Sequence, residues 1–383
     1  MRNNLRTRVF CPKQTMKKTW LHFVRTLLYV STILLVSPDV CFGGGGGISS
    51  KMTQTIRIKN ASTGVTSSPA VSISTVLVDD AGNESLTVEG MPYGGVADPF
   101  RIGKFEVTIQ QYAAFLNAVA TRPDTHPSGA AVIESLYDSR MGTDTNVAGI
   151  TRSGQGTATS PYSYQVLGDG NRPITYVTFH NAARFANWMH NDALPTSQLE
   201  YGAYHIYGEL SESIAKSFEA TWWIPSEHEW FKAAYYKGGS TSAGYYKFPT
   251  KSDTLPGNTS DSLPNQANFL KSGVYTTTQS STLKTSENYL TPVGNFYKSE
   301  SPYGTFDQGG NVDEWVDTLA SSEYGIAYIT RGGAWNTGGL NNDASPASTA
   351  LPSDRSNKIG FRLARAPSSS GTPAATCTPF VPN

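Results

Sequence analysis

"DQGGNVDEWVDT", residues 307–318, is the stretch on which the reading of the fold turns. Acids, two glycines, an asparagine and a tryptophan crowd together with neither the helical nor the strand period. Two readings stand at this level. One is a tight glycine turn carrying solvated acids. The other is a loop that gathers oxygen atoms around a hard cation. Calcium takes roughly six to eight oxygens, from carboxylates and backbone carbonyls, in a flexible shell. Asp307 and Glu314 are seven positions apart and can converge only if the chain doubles back. Gly309 and Gly310 permit that, because glycine tolerates positive φ.

Outward from this stretch, bulk properties narrow the classes. The chain has 383 residues, 30 basic against 30 acidic, with only 16% charged and 36 glycines. The length supports a sizeable core. The charge balance gives no basic excess that would mark a nucleic-acid partner or an anionic membrane surface. At the N-terminus, Lys17, Lys18 and Arg25 precede an apolar run from Leu27 to Val36, too short to span a bilayer and suited to a secretory signal. A membrane contact is expected only if this segment stays uncleaved. Cys41 follows Pro-Asp-Val rather than the small apolar residues of a lipidation site.

The three cysteines are Cys11, Cys41 and Cys377. None falls in the expected folded body, so it offers no disulfide framework, cysteine metal site or thiol nucleophile. The expected organisation is a signal-peptide region over 1–43, with Met16 as an alternative start. A Gly/Ser/Thr-rich linker over 44–69, one folded domain over 70–366 and a low-complexity tail over 367–383 follow.

Residues 71–83 alternate and then turn, which predicts a strand and hairpin. Thr108 with Gln111, and Ser226 with Glu229, are capping boxes opening helices, and Thr178 can cap a third. Tyr112, Phe115, Leu116 and Val119 stripe the first helix; Ala182, Phe185, Ala186 and Met189 stripe another. Gly238-Gly239 is the expected stop of the helix that Ser226 caps. Strands are predicted at "AYITRGGAW" and "KIGFRLARA", with Arg362 alternating against Phe361 and Leu363. Long polar loops occupy 122–170 and 238–300. Few helices among short strands is an α+β pattern.

Six ordered segments then form a constellation: "RIGKFEVTIQQYAAFLNAV", "RPITYVTFHNAARFANWM", "WIPSEHEWFKAAYYKGG", "YGTFDQGGNVDEWV", "RGGAW" and "IGFRLA". Their order resembles the formylglycine-generating enzyme / sulfatase-modifying factor family, from about Val71 to Ala364. The resemblance implies one C-type-lectin-related domain, low in regular structure and often stabilised by calcium. It implies a first calcium site from Asp307 and Glu314 side chains with the Gly310 and Val312 carbonyls, and Trp315 as a core anchor. It also implies a second calcium site, from Asn268, the Phe269 carbonyl, Glu287 and the Tyr289 carbonyl; an ordinary polar loop is the alternative there.

The family's oxidases use two cysteines after the "GGSW"-like strand to bind copper. The matching positions here are Thr337 and Asn342, and neither can supply the thiolate that Cu(I) selects. No copper is therefore expected. An iron-dependent branch of the superfamily needs histidine ligands. His180 and His190 are ten apart on one predicted helix, about 80° off a common face. His228 sits between Glu227 and Glu229, but capping and the helix dipole already account for both acids. No iron is expected.

The leading expectation is an exported, catalytically degenerate domain that binds an extracytoplasmic ligand, peptide or protein. Its surface would comprise Trp335, Asn336, Thr337, Asn341, Asn342 and Asp343. An oxygen- or metal-dependent modifying enzyme and an envelope-associated structural protein are the alternatives.

Overall fold

The computed structural model describes residues 71–207, 213–259, 261–338 and 347–367. The expected signal-peptide region over 1–43, the expected linker over 44–69, the tail beyond Pro367 and all three cysteines lie outside the described residues. Strands β1 (Thr75–Val78), β2 (Leu86–Val88), β3 (Met91–Tyr93) and β4 (Phe100–Gly103) precede helix α1 (Ile109–Val119). A 3₁₀ turn (Pro123–Thr125), α2 (Ala130–Glu134), α3 (Arg140–Thr143), β5 (Ile150–Ser153) and β6 (Ser163–Val166) lead to α4 (Phe179–His190). Then come β7 (Trp222–Trp223), α5 (Glu227–Tyr235), β8 (Asp313–Ser322), β9 (Gly325–Arg331), β10 (Ser348–Ala350), β11 (Ile359–Gly360) and β12 (Ala364–Arg365).

One sheet has the order β1-β4-β12-β7 and a second the order β10-β9-β8-β11, while β2-β3 and β5-β6 are separate two-stranded pairs. Only β11 with β8 is parallel among the strand pairs described. The result is the expected α+β single domain of short strands and few helices. Among the described residues no helix is long and apolar enough to cross a membrane.

The helix starts follow from local chemistry. Thr108 Oγ1 accepts from Gln111 N while Gln111 Oε1 accepts from Thr108 N, closing the box at α1. Ser226 and Glu229 close the second box at α5. Thr178 caps α4 through Asn181 N at 3.0 Å. The helix stop differs from expectation. α5 ends at Tyr235, ahead of Gly238-Gly239, because Tyr236 is extended and bridges Tyr245.

The apolar stripes of α1 and α4 meet in the core. Phe115 lies edge-on to Phe185 at 5.2 Å between centroids and tilts against Trp188 at 5.1 Å, and Phe185 meets Phe361 at 5.5 Å. Trp315, on β8, donates its indole N–H to the Val177 carbonyl at 2.9 Å and packs edge-on against Phe179. It is the core anchor expected.

"KIGFRLARA" departs from the single strand predicted. Ile359–Gly360 joins β8 in one sheet, and Ala364–Arg365 inserts between β4 and β7 in the other. The segment therefore ties the two sheets together.

β8 also carries Asp317, whose Oδ2 accepts from Tyr204 Oη at 3.1 Å. Burial pushes the Asp317 carboxyl up to about 6; Tyr204 and Lys216 pull it back and the Glu229 charge adds to the rise. A carboxylate raised on folding favours the native state at low pH, and that contribution fades as pH rises from about 4 through 6. Asp317→Asn should therefore gain stability relative to the parent by about 1–2 kcal/mol between pH 4 and pH 7. Urea titrations at both pH values measure this; an unchanged difference would show that burial does not govern the group.

Candidate functional site

The 307–311 turn is built from three left-handed residues: Asp307 (φ 60), Gly310 (φ 89) and Asn311 (φ 62). Gly309 is not among them, so Asp307 and Asn311 take part of the reversal that the sequence assigned to the glycine pair. At Gly310 a Cβ would stand 2.3 Å from the Asn268 carbonyl oxygen. Only glycine fits there.

From Asp313 the chain is strand, and this sets the orientation of Glu314. Glu314 is fully buried, at 0% exposure. Its carboxylate takes both arms of the Arg362 guanidinium, Nε to Oε2 and Nη2 to Oε1, each at 2.6 Å. Trp230 Nε1 adds a third donor at 2.8 Å. Arg362 also donates to the carbonyls of Gly103 at 2.9 Å and Phe306 at 2.8 Å. The assignment of Glu314 as a calcium ligand is corrected on this point. Its side chain is the partner of a buried arginine, an ion pair closed by fork geometry.

Asp307 is half-buried and accepts from Gly294 N through Oδ2 at 2.5 Å. Burial pushes its carboxyl up to about 6; the Gly294 bond and Arg362 lower it and Glu314 raises it. Glu106, at the start of the capping segment, is a third carboxylate in the same field. Burial, then the Asp307 charge, push it well above the usual range. Glu106 Oε1 accepts from Asn311 Nδ2 at 3.2 Å, while Oε2 is buried without a partner. Three carboxylates thus face one guanidinium. If all are ionised, the knot lacks two positive charges.

Asn311 is the hub. Its Oδ1 accepts from Thr291 N at 3.0 Å and Asn268 Nδ2 at 3.1 Å, and its Nδ2 reaches Glu106. Its backbone N–H donates to Asn268 O at 2.7 Å, and its carbonyl accepts from Trp335 N at 3.0 Å. Glu106 and Arg362 are the site residues that motif reading passed over.

The second expected calcium group does not assemble. Asn268 and Tyr289 do meet, but through Asn268 Nδ2 donating to the Tyr289 carbonyl at 2.9 Å. The Phe269 carbonyl already accepts from Thr276 Oγ1 at 3.0 Å and Asn258 Nδ2 at 3.2 Å. Glu287 is exposed; its backbone carbonyl accepts from Asn146 Nδ2 at 2.9 Å and its N–H donates to the Lys284 carbonyl at 3.4 Å. The protein's own donors occupy the oxygens that a cation would need.

The expected ligand surface also changes. Trp335 is 3% exposed, stacks on Tyr289 at 5.0 Å and donates to the Asn357 carbonyl at 3.1 Å. It is core, not a contact residue. Asn336 and Thr337 are half-buried, and Thr337 Oγ1 accepts from Ala334 N at 3.0 Å. Asn341, Asn342 and Asp343 lie outside the described residues.

Three of the histidines are held within the fold. His180 is buried in α4, His190 Nδ1 accepts from Thr221 N at 3.1 Å, and His228 Nδ1 accepts from Gly94 N at 3.2 Å. Among the described residues no three His, Cys, Asp or Glu side chains are grouped to hold a metal ion. A cation at the polar knot would take part of its shell from backbone carbonyls, which calcium accepts.

The buried Glu314–Arg362 pair, the Gly310-Asn311 reversal and the two-sheet tie hold the polar knot within the fold. The family model for the sulfatase-modifying factor enzyme 1-like domain matches residues 73–367, and the chain belongs to that family. Among solved structures, CarF is similar at 20% identity over 77% of this chain and 98% of its own, with a TM-score of 0.46. Treponema denticola variable protein 1 gives 18% identity, 79% and 98% coverage and a TM-score of 0.47. PvdO from Pseudomonas aeruginosa gives 19%, 77%, 92% and 0.39 in the same order. No curated protein matches the chain.

Proposed function

We propose that this chain is an exported sulfatase-modifying-factor-like domain that has given up cysteine oxidation and serves as a calcium-stabilised binding module. The observation that carries the proposal is chemical. The two positions where the family's oxidases place copper-binding cysteines hold Thr337 and Asn342, and residues 71–367 contain no cysteine. A hydroxyl and a carboxamide cannot replace the thiolates that hold Cu(I). Thr337 is moreover committed to its own turn through Ala334. Export is supported by the basic and apolar N-terminal segment.

Calcium is supported by the charge count of the knot formed by Glu106, Asp307, Glu314 and Arg362. Burial pushes Glu106 and Asp307 toward their neutral forms, and a divalent cation would supply the two positive charges that the knot lacks when all three carboxylates are ionised. Asp307 would give its carboxylate, and Gly310 and Val312 their carbonyls. Bound calcium would supply charge and hold the 307–312 turn closed; it is assigned no catalytic step.

Thermal unfolding of the protein with calcium, and again with excess EDTA, tests this reading. Calcium at about a hundredfold over Kd should add about 2.7 kcal/mol of stability. Asp307→Ala should abolish the increment. A cooperatively folded protein with no calcium response would remove the metal from the reading. Tight stoichiometric Cu(I) binding would remove the loss of oxidase chemistry.

A further inference from the structure

On the face carrying the segment after α4, three aromatic rings gather at the surface. Tyr201 and Tyr207 are 44% and 62% exposed, and His205 stands between them in sequence. The rings meet edge to face: Tyr201 with Tyr207 at 5.1 Å and 82°, Tyr201 with His205 at 5.8 Å, and His205 with Tyr207 at 6.0 Å and 90°. Tyr207 is held at φ +53, a conformation that bulky side chains rarely adopt. Strain of this kind persists where the surrounding structure imposes it, and it gathers at ligand sites. Among the described residues neither tyrosine hydroxyl has a hydrogen-bond partner.

The two tyrosines line an open cavity of 330 Å³ together with apolar Pro127 and Val132 and polar Ser128, Gln198 and Glu200. Glu200 lines it, fixed by Arg184 through Nε to Oε1 at 2.6 Å and neutralised by that pair. Gln198 lines it too, and its Oε1 accepts from Ser128 Oγ at 2.8 Å. Its Nε2 has only the Pro127 carbonyl at 3.5 Å, the far limit of a hydrogen bond. It is the donor with most to gain from a ligand.

We propose that this cavity binds a neutral saccharide, with a pyranose ring lying on the tyrosine faces. Its hydroxyls would donate to the fixed Glu200 carboxylate and accept from Gln198 Nε2. Exposed rings beside planar, oriented amide and carboxylate groups match a ligand that is apolar on its C–H face and polar at its rim. A quaternary ammonium fits less well. The rings are packed edge to face on each other and leave no cage between them, and the Glu200 charge is already met by Arg184. This site goes beyond the calcium-stabilised module and does not depend on it.

Saturation-transfer NMR of the whole protein with methyl glycosides of glucose, galactose, mannose and N-acetylglucosamine tests the proposal. At least one glycoside should show transfer centred on its ring C–H protons. Tyr201→Ala with Tyr207→Ala should weaken its binding by about tenfold or more. Gln198→Ala should weaken it while leaving the unfolding midpoint unchanged. EDTA should have no effect, so loss of the calcium reading would leave this one standing. Absence of transfer from all four glycosides would overturn the proposal. So would binding that the double tyrosine variant leaves intact, or tetramethylammonium binding in preference to every glycoside.

Discussion

Arg362→Met is expected to destabilise the domain by about 3–5 kcal/mol, in EDTA as well as in calcium. The guanidinium is fully buried and holds both oxygens of Glu314 and the carbonyls of Gly103 and Phe306. Methionine fills similar volume but takes this donor from Glu314 Oε1 and from the Gly103 and Phe306 carbonyls, leaves Glu314 Oε2 with Trp230 alone, and leaves three carboxylates without their cation. Glu314→Gln should cost less. It leaves a buried arginine, but Glu106 and Asp307 still face that arginine's charge. The ranking therefore tests the knot rather than the single pair. Arg362→Lys should fall between the parent and methionine, because an ammonium cannot present the same planar fork. Urea unfolding of the three variants measures all of this. A loss for Arg362→Met under about 1 kcal/mol would mean the pair is solvated and the knot carries no stability.

Gly310→Ala should be nearly as damaging, at about 3 kcal/mol or more. Two costs add. At φ 89 an L-residue is strained, and the new methyl would meet the Asn268 oxygen at 2.3 Å and its carbonyl carbon at 2.9 Å. That carbonyl cannot move aside freely, because it accepts from Asn311 N at 2.7 Å. Gly239→Ala separates the two costs. Its φ is 86 and nothing lies within 4 Å of the added Cβ, so only the backbone strain of about 1–2 kcal/mol should appear. Equal losses at the two glycines would show that the clash at Gly310 relaxes.

The helices and their starts are legible in the sequence because their causes are local. The boxes Thr108–Gln111 and Ser226–Glu229 span three residues, and both form as read. The polar knot is not legible in that way. Glu106 and Asn311 are 205 residues apart, and Gly103 and Arg362 are 259 apart. No window along the chain holds both partners. Arg362 alternates with Phe361 and Leu363 as a solvent-facing residue would, and the alternation is real. Between β11 and β12, Phe361, Arg362 and Leu363 are all fully buried, so alternation does not report exposure here. The first four residues of β8 are buried on both faces for the same reason, which left no period to read in "DEWV". Trp335 follows a glycine pair and precedes polar residues, a pattern that suits a contact surface. Its stacking on Tyr289 depends on a neighbour 46 positions upstream, a separation no local pattern records.

The placement of β12 constrains how the chain can come together during synthesis. β4 and β7, made early, do not pair with each other and join one sheet only through Ala364–Arg365, which pairs with both. Arg362 completes the knot only when the same segment arrives. A ribosome-bound chain that has released everything up to Lys358 has both halves of a sheet and no middle. It holds Glu106, Asp307 and Glu314 with no counter-charge from Arg362. Folding of this domain is therefore expected to complete only when residues 359–367 arrive, rather than to grow outward from its first strands. A chain truncated at Lys358 should stay open and sensitive to protease, although it has lost none of the four longest helices.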